Sequence, residues 1–298
     1  MAPSDRKTAS DFPPEVLELF DGYVHNTVSR RDFLTRAAKY AAAGVTALAM
    51  LESLQPDFAW AEQVPKADPR VKTEYATYTS AAGSGEMRGY LARPAKAKGK
   101  LPGVVVIHEN RGLNPYIEDV ARRLALVGYV AFAPDALTPL GGYPGDEEKA
   151  RAQFATLDAT KRTEDLVAAA EYVKARKDVT KKIGAVGFCF GGGTCNMLAS
   201  RLPWLAAAVP FYGAGLEADQ VKTIKAALQL HFAETDEKMN AQWPAYETAL
   251  KANKVRYEMF TYPGTQHGFH NDTTPRYDEA AAKLAWTRTL AHFKKYLR

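Results

Sequence analysis

The stretch Gly187-Phe188-Cys189-Phe190-Gly191 constrains this chain more than any other. It follows a short apolar run, Lys182 to Gly187, that reads as a buried strand. It leads through Gly191–Gly193 toward a helix over Thr194 to Arg201. A glycine-flanked residue between strand and helix is the pattern of a nucleophile elbow. The glycines let strand and helix approach closely, and the central residue is held in a strained conformation that pushes its side chain out above the sheet. Here that side chain is a thiol. The competing structural reading is a glycine-rich turn with a small buried cysteine.

The segments around the elbow alternate between strand and helix patterns. An antiparallel entry spans Val71 to Arg93, turning at Gly83-Ser84-Gly85. Val104 to Ile107 is a β-branched run suited to a strand covered on both faces. Tyr116 to Val127 has helical spacing and stops at Gly128; Tyr129 to Ala133 reads as a strand. After a polar loop, helices are expected over Glu147–Leu157 and Thr163–Ala175. Beyond the elbow come strands at Ala206–Phe211, Leu228–Phe232 and Arg256–Tyr262, a helix over Asn240–Ala252 and a last helix over Tyr277–Leu297. This order specifies an α/β fold: a mostly parallel central sheet with helices on both faces.

Residues 1–61 differ in character from residues 62–298. Ser29-Arg30-Arg31-Asp32-Phe33-Leu34 matches the core of a twin-arginine export signal, a weakly apolar stretch Ala37–Leu51 follows, and Ala59-Trp60-Ala61 offers a cleavage site. That reading predicts a periplasmic protein. The rival reading is a retained helical arm in a cytoplasmic protein. Asp11 to Phe20 carries an aspartate, prolines and an apolar period, and Phe33, Leu34, Ala37, Ala38, Ala41 and Ala42 fall on one face of a second helix. Such an arm would pack on the domain or on a second subunit, giving a homo-oligomer.

Composition excludes several classes. The formal net charge is +5, with basic and acidic residues interleaved, and no basic tract suggests nucleic acid. The two cysteines, Cys189 and Cys195, form no metal-binding pattern, and side chains diverging along one helix would not bridge. No metal or other cofactor is expected, and Cys195 reads as structural.

A thiol nucleophile needs a base, a group that orients the base, and donors for the developing oxyanion. In a parallel sheet these belong just past the C-terminal strand ends. Asp236 follows the strand at Leu228–Phe232, and His267 follows the next, between Gly264 and Gly268. The chain order of nucleophile, acid and histidine is that of α/β-hydrolases. Glu234 is the rival for Asp236, and His270 for His267. Glu109 follows the Val104–Ile107 strand, where such a fold places its second oxyanion donor; its structural alternative is an ion pair with Arg111. The backbone N–H groups of Asn110 and Phe190 are the candidate oxyanion donors.

Taken together, Gly187-Phe188-Cys189-Phe190-Gly191-Gly192, His108-Glu109-Asn110-Arg111-Gly112, Asp236 and Pro263-Gly264…His267-Gly268-Phe269 resemble the dienelactone hydrolases (carboxymethylenebutenolidases), over roughly Val71 to Arg298. The resemblance implies a Cys189–His267–Asp236 triad that opens small lactones or esters through a thioester, with Glu109 holding the resting thiol. It also implies arginines that clamp a substrate carboxylate. The segment after His267 departs from that pattern, with no arginine before Arg276. Arg111, Arg151 and Arg276 are the candidates for an anion clamp, and Tyr143, Trp243 and Phe269 for an apolar pocket wall. The alternative function is a catalytically silent domain serving as a binding or scaffold module; C–C or haloacid chemistry at the same site would need an extra acid beside the elbow.

Overall fold

The computed structural model describes residues 6–41, 45–60 and 62–298. Ala42 of the expected second helix and Ala61 of the expected cleavage site lie outside them. Among the described residues three α-helices precede the sheet, α1 (Pro14–Val24), α2 (Arg30–Ala37) and α3 (Ala47–Leu54). The body follows as β1 (Val71–Ser80), β2 (Gly85–Pro94), β3 (Leu101–Ile107), α4 (Pro115–Leu126), β4 (Val130–Pro134), α5 (Glu147–Ala155) and α6 (Ala159–Ala175). It continues through β5 (Val179–Phe188), α7 (Phe190–Arg201), β6 (Ala207–Phe211), the short α8 (Ala218–Val221), β7 (Ala227–Ala233), the short α9 (Glu237–Asn240), α10 (Trp243–Ala252), β8 (Tyr257–Tyr262) and α11 (Glu279–Leu297).

The strands form one eight-stranded sheet in the order β1-β2-β4-β3-β5-β6-β7-β8. β2 pairs antiparallel with both β1 and β4, and the remaining pairs are parallel. Successive strand side chains point to opposite faces, so the β-branched run of β3 divides between two cores. Val105 and Ile107 pack with Leu166 and Val173 of α6 and Leu198 of α7. Val104 and Val106 pack with Ile117, Val120 and Leu124 of α4 and Phe293 of α11. Helices therefore cover both faces, as a parallel sheet requires.

Three helix starts differ from expectation. α6 begins at Ala159, four residues before Thr163, because Asp158 caps it. α7 begins at Phe190, so Gly191–Gly193 lie inside the helix and not ahead of it. The reason is proximity: a Cβ on Gly191 would sit 2.3 Å from the carbonyl oxygen of Ile107. α10 begins at Trp243, with Pro244 in its first turn, and Asp236 caps the separate α9 ahead of it.

The three N-terminal helices build a core of their own. Val16, Phe20 and Tyr23 of α1 meet Phe33 of α2 and Leu51 and Leu54 of α3. Ser29 caps α2, its Oγ accepting from the Asp32 N–H at 3.0 Å. Phe33, which the export-signal reading would place in its motif, is a fully buried core residue. Arg30 pairs with Glu148 of the body. Among the described residues no helix is long and apolar enough to cross a membrane.

Candidate active site

Cys189 stands at the sharp junction between β5 and α7 with φ 56° and ψ −113°, a conformation that side-chain-bearing residues rarely adopt. The junction is held by close backbone packing. A Cβ on Gly187 would meet the Gly191 carbonyl oxygen at 2.1 Å, and the Cys189 N–H donates to the Phe211 carbonyl at 3.1 Å.

Asp236 and His267 follow β7 and β8 and meet there. His267 Nδ1 lies 2.6 Å from Asp236 Oδ2, and both residues are buried. The other oxygen of Asp236 accepts from the Met239 N–H, which fixes the carboxylate as the cap of α9. His267 Nε2 faces the thiol: the ligand atoms of His25, Cys189 and His267 all lie within 4.8 Å of one another. The rivals are engaged elsewhere. Glu234 accepts from the Gly264 N–H, and His270 Nδ1 bonds the Tyr116 hydroxyl at 2.7 Å in the sheet core.

The residue that sequence reasoning missed is His25, just past the end of α1. Its Nε2 is 3.6 Å from Cys189 Sγ, and its Nδ1 is 3.2 Å from Asp21 Oδ2. The spacing Asp21–His25, one helical turn, is the only signal the sequence offers, and it occurs on many surface helices. Tyr212 was also missed. It follows β6 at φ 36°, with its ring 4.9 Å from that of His267.

The electrostatics follow from these neighbours. Burial opposes ionisation of Cys189, but the charge of His267 and the hydrogen bond from His25 outweigh it and bring the thiol down to about 6. Burial likewise opposes charge on His25, yet Asp21 and Cys189 push it up to about 9. His267 is held protonated well above its ordinary range by Cys189 and Asp236, against its burial. Cys195, buried in α7 without a partner charge, is pushed upward instead.

The remaining candidates have other partners. Glu109 Oε2 accepts from Asn271 Nδ2 at 2.9 Å, and among the described residues the thiol's side-chain hydrogen bond is with His25, not Glu109. Arg111 pairs with Glu147 at 2.8 Å, not with Glu109. Arg151 donates to the Tyr23 carbonyl at 3.1 Å and lies over its ring. Arg276 pairs with Asp21 at 3.3 Å. The three aromatics belong to packing and not to a pocket wall. Phe269 is fully buried against Tyr262 and Tyr212, Trp243 packs on Phe232 and Tyr257, and the Tyr143 hydroxyl bonds Glu147. The cavity beside the thiol, about 400 Å³, is lined instead by Leu166, Met197 and Met239, with Asn110, Phe190 and His25.

Cys189, His25 and His267 are also donors of the type zinc accepts. Each imidazole is oriented through its second nitrogen by a carboxylate, an arrangement that serves a base as well as a ligand.

Comparisons with known proteins agree with this architecture. The family model of the Dienelactone hydrolase family matches residues 87–297. A separate model, YqhI-like, matches residues 3–40, the segment of α1 and α2. A candidate hydrolase fragment of Escherichia coli, YghX, is 57% identical over 116 residues, which is 39% of this chain and 99% of that protein. The "Probable 2-oxo-3-(5-oxofuran-2-ylidene)propanoate lactonase" of a Bradyrhizobium species is 33% identical, covering 72% of this chain and 92% of its own length. A crystal structure from Klebsiella pneumoniae, of a candidate dienelactone hydrolase, superposes with a TM-score of 0.66 at 28% identity, covering 76% of this chain and all of that one. An eight-stranded α/β-hydrolase sheet, an elbow above it and a family match over most of the chain agree: this protein is a member of the dienelactone hydrolase family, the ester and lactone hydrolases of that fold.

Proposed function

We propose that the protein hydrolyses small esters or lactones through a thioester on Cys189. The observation that carries this is the buried His267–Asp236 pair beside a cysteine held at positive φ. The thiol proton rests on His267, leaving a thiolate–imidazolium pair. The thiolate attacks the carbonyl carbon, a C–S bond forms, and negative charge moves to the carbonyl oxygen. The N–H groups of Asn110 and Phe190 are the donors for that oxygen. As the first residue of α7, Phe190 has an N–H with no intrahelical acceptor. The tetrahedral species collapses with cleavage of the C–O bond, and the departing oxygen takes the proton of His267. Water then gives a proton to His267 as its hydroxide adds to the thioester carbon. The C–S bond breaks, the carboxylic acid leaves and the ion pair is restored. Asp236 keeps the imidazole in the required tautomer.

The lactone named for the Bradyrhizobium relative supports the substrate class. The strain at Cys189 speaks against a silent scaffold, which has no use for it. The test is turnover of p-nitrophenyl acetate and of a dienelactone by the full chain beside Cys189→Ala. Hydrolysis lost in the variant supports the reading, and hydrolysis retained refutes it.

The N-terminal segment we read as a retained arm. Support comes from α2, where the motif residues Ser29, Arg30 and Phe33 act as helix cap, ion-pair partner and core. N-terminal sequencing of protein from its native host tests this. A start at Met1 or Ala2 agrees with it; a start near Glu62 would return the segment to the role of an export signal.

A further inference from the structure

We propose that the N-terminal arm is a working wall of the active site: His25 is a second catalytic partner of Cys189, and Asp21 closes the Arg276 position against substrate carboxylates, so that the cavity takes uncharged acyl groups. This rests on reading Cys189 as the nucleophile.

The geometry around the sulfur is two-sided. Asp236 orients His267 on one side, and Asp21 orients His25 on the other. The two imidazole rings stand edge to face, with centroids 4.6 Å apart. His25 Nδ1 is also 2.9 Å from the Asp21 carbonyl oxygen, so acceptors from Asp21 surround that nitrogen and aim Nε2 at Sγ.

The arm is tied down at the points the chemistry needs. Asn110 Nδ2 donates to the Val24 carbonyl at 2.8 Å, next to His25. Arg151 donates to the Tyr23 carbonyl and to Asn26, and its guanidinium is 4.0 Å from the centroid of the Tyr23 ring. Arg276 pairs with Asp21 and lies over the Phe20 ring at 5.1 Å. Two of the three arginines that could have clamped a substrate anion are thus occupied by the arm. The third, Arg111, is paired with Glu147.

The arm does not plug the site. A cavity of about 400 Å³ remains open beside Cys189; its wall includes His25, Leu166, Met197 and Met239, with Lys238 the one lysine among the described residues that line it. Its apolar lining suits an uncharged acyl chain. A substrate carboxylate at Arg276 would have to compete with Asp21 for the guanidinium.

The role of His25 needs no net proton transfer. As an imidazolium it donates through Nδ1 to Asp21 and through Nε2 to the thiolate. When sulfur bonds to the carbonyl carbon, the negative charge leaves sulfur, and when the thioester is cleaved it returns; His25 keeps its proton throughout. In dienelactone hydrolases the resemblance gives the task of holding the resting thiol to a glutamate; here Glu109 is turned to Asn271 and His25 stands on the thiol.

The titratable and charged groups facing this centre are His267 with Asp236, His25 with Asp21, Tyr212, Glu109, Lys238 in the cavity wall, and Arg276 beside Asp21. The test compares the full-length wild type with His25→Gln, Asp21→Asn and Cys189→Ala. One readout is the rate of Cys189 alkylation by iodoacetamide against pH. The other is kcat and KM on p-nitrophenyl acetate and on mono-p-nitrophenyl succinate, whose acyl group carries a carboxylate. Loss of a hydrogen bond to a charged group predicts that His25→Gln raises the alkylation midpoint and lowers kcat about tenfold. Asp21→Asn is predicted to shift the kcat/KM ratio about tenfold toward the succinate ester. Should His25→Gln not fold, as judged by its thermal melt, His25→Asn reads the same quantity.

An unchanged midpoint and kcat in the histidine variant, or an unchanged substrate ratio in Asp21→Asn, would overturn the inference. If Cys189→Ala still turns over both esters, the underlying thioester reading fails. If only Cys189→Ala is inactive while the arm variants match wild type, the arm inference alone fails.

Discussion

His25 Nε2 lies 3.6 Å from Cys189 Sγ although 164 positions separate the two residues. The contact joins the N-terminal arm to the elbow and places the thiol between two histidines, each backed by an aspartate. A thiolate between two protonated imidazoles is stabilised by their positive charge and by charge-assisted hydrogen bonding, which together outweigh the cost of burying it.

The acidity of this thiol is directly measurable. Cys189 is brought down to about 6, whereas a free cysteine titrates near about 8.5. The thiolate is the reactive form, so alkylation should fall as pH drops through about 6 and stay on a plateau above it. Buried Cys195, shifted the opposite way, should remain unlabelled at neutral pH. Mass spectrometry should therefore find one adduct per chain, at Cys189. Labelling of both thiols, or none until alkaline pH, would contradict the electrostatic account.

Asp236 acts through His267. Replacing it with asparagine keeps a cap acceptor for the Met239 N–H but presents the wrong partner to Nδ1. By analogy with other triads, kcat should fall about 10²- to 10⁴-fold with little change in thermal stability. Glu234→Gln is the control, because Glu234 is exposed and its carboxylate accepts from the Gly264 N–H, away from His267. Its kcat should stay within about twofold of wild type. Equal losses in both variants would reassign the acid.

Phe33 tests what the arm is for. It is fully buried, with its ring 6.0 Å from that of Tyr23 and 6.5 Å from that of Phe20. Phe33→Ala should cost the arm about 3–5 kcal/mol. Tyr23 meets Arg151 and immediately precedes Val24 and His25, so loosening it should lower kcat as well. Limited trypsin digestion should then cut at Arg30, Arg31 or Arg36 while the 62–298 body stays intact. Wild-type protection and wild-type kcat would show that Phe33 is not what holds the arm in place.

The donor set around Cys189 permits a metal test. Added zinc should inhibit by occupying the thiolate and imidazoles that the mechanism requires free, and it should protect Cys189 from iodoacetamide. Treatment with EDTA should leave turnover unchanged. Activity lost to EDTA and restored by zinc would make the cluster a metal centre.

The elbow and the two residues after β7 and β8 were legible in the sequence because local rules place them. Glycine spacing marks the strained turn, and the C-terminal end of a parallel strand is where Asp236 and His267 must sit. The unbroken β-branched run of Val104 to Ile107 likewise announced a strand covered on both faces. What eluded local reading depends on contacts distant in the chain. Tyr143, Trp243 and Phe269 have the composition of a pocket wall, but burial by neighbouring elements decides between wall and core. Arg151 and Arg276 look like an anion clamp until the arm supplies Tyr23 and Asp21 to them. His25 carries no local mark of its role, since its partner lies in the body of the protein.

The most direct test of the central claim is to trap the acyl-enzyme. Full-length protein mixed with a slowly deacylating p-nitrophenyl ester and quenched in acid should gain the mass of one acyl group, mapped by peptide sequencing to Cys189. Cys189→Ala should gain none and release no p-nitrophenol above the uncatalysed rate. An acyl group found on another residue, or turnover by Cys189→Ala at the wild-type rate, would contradict the account.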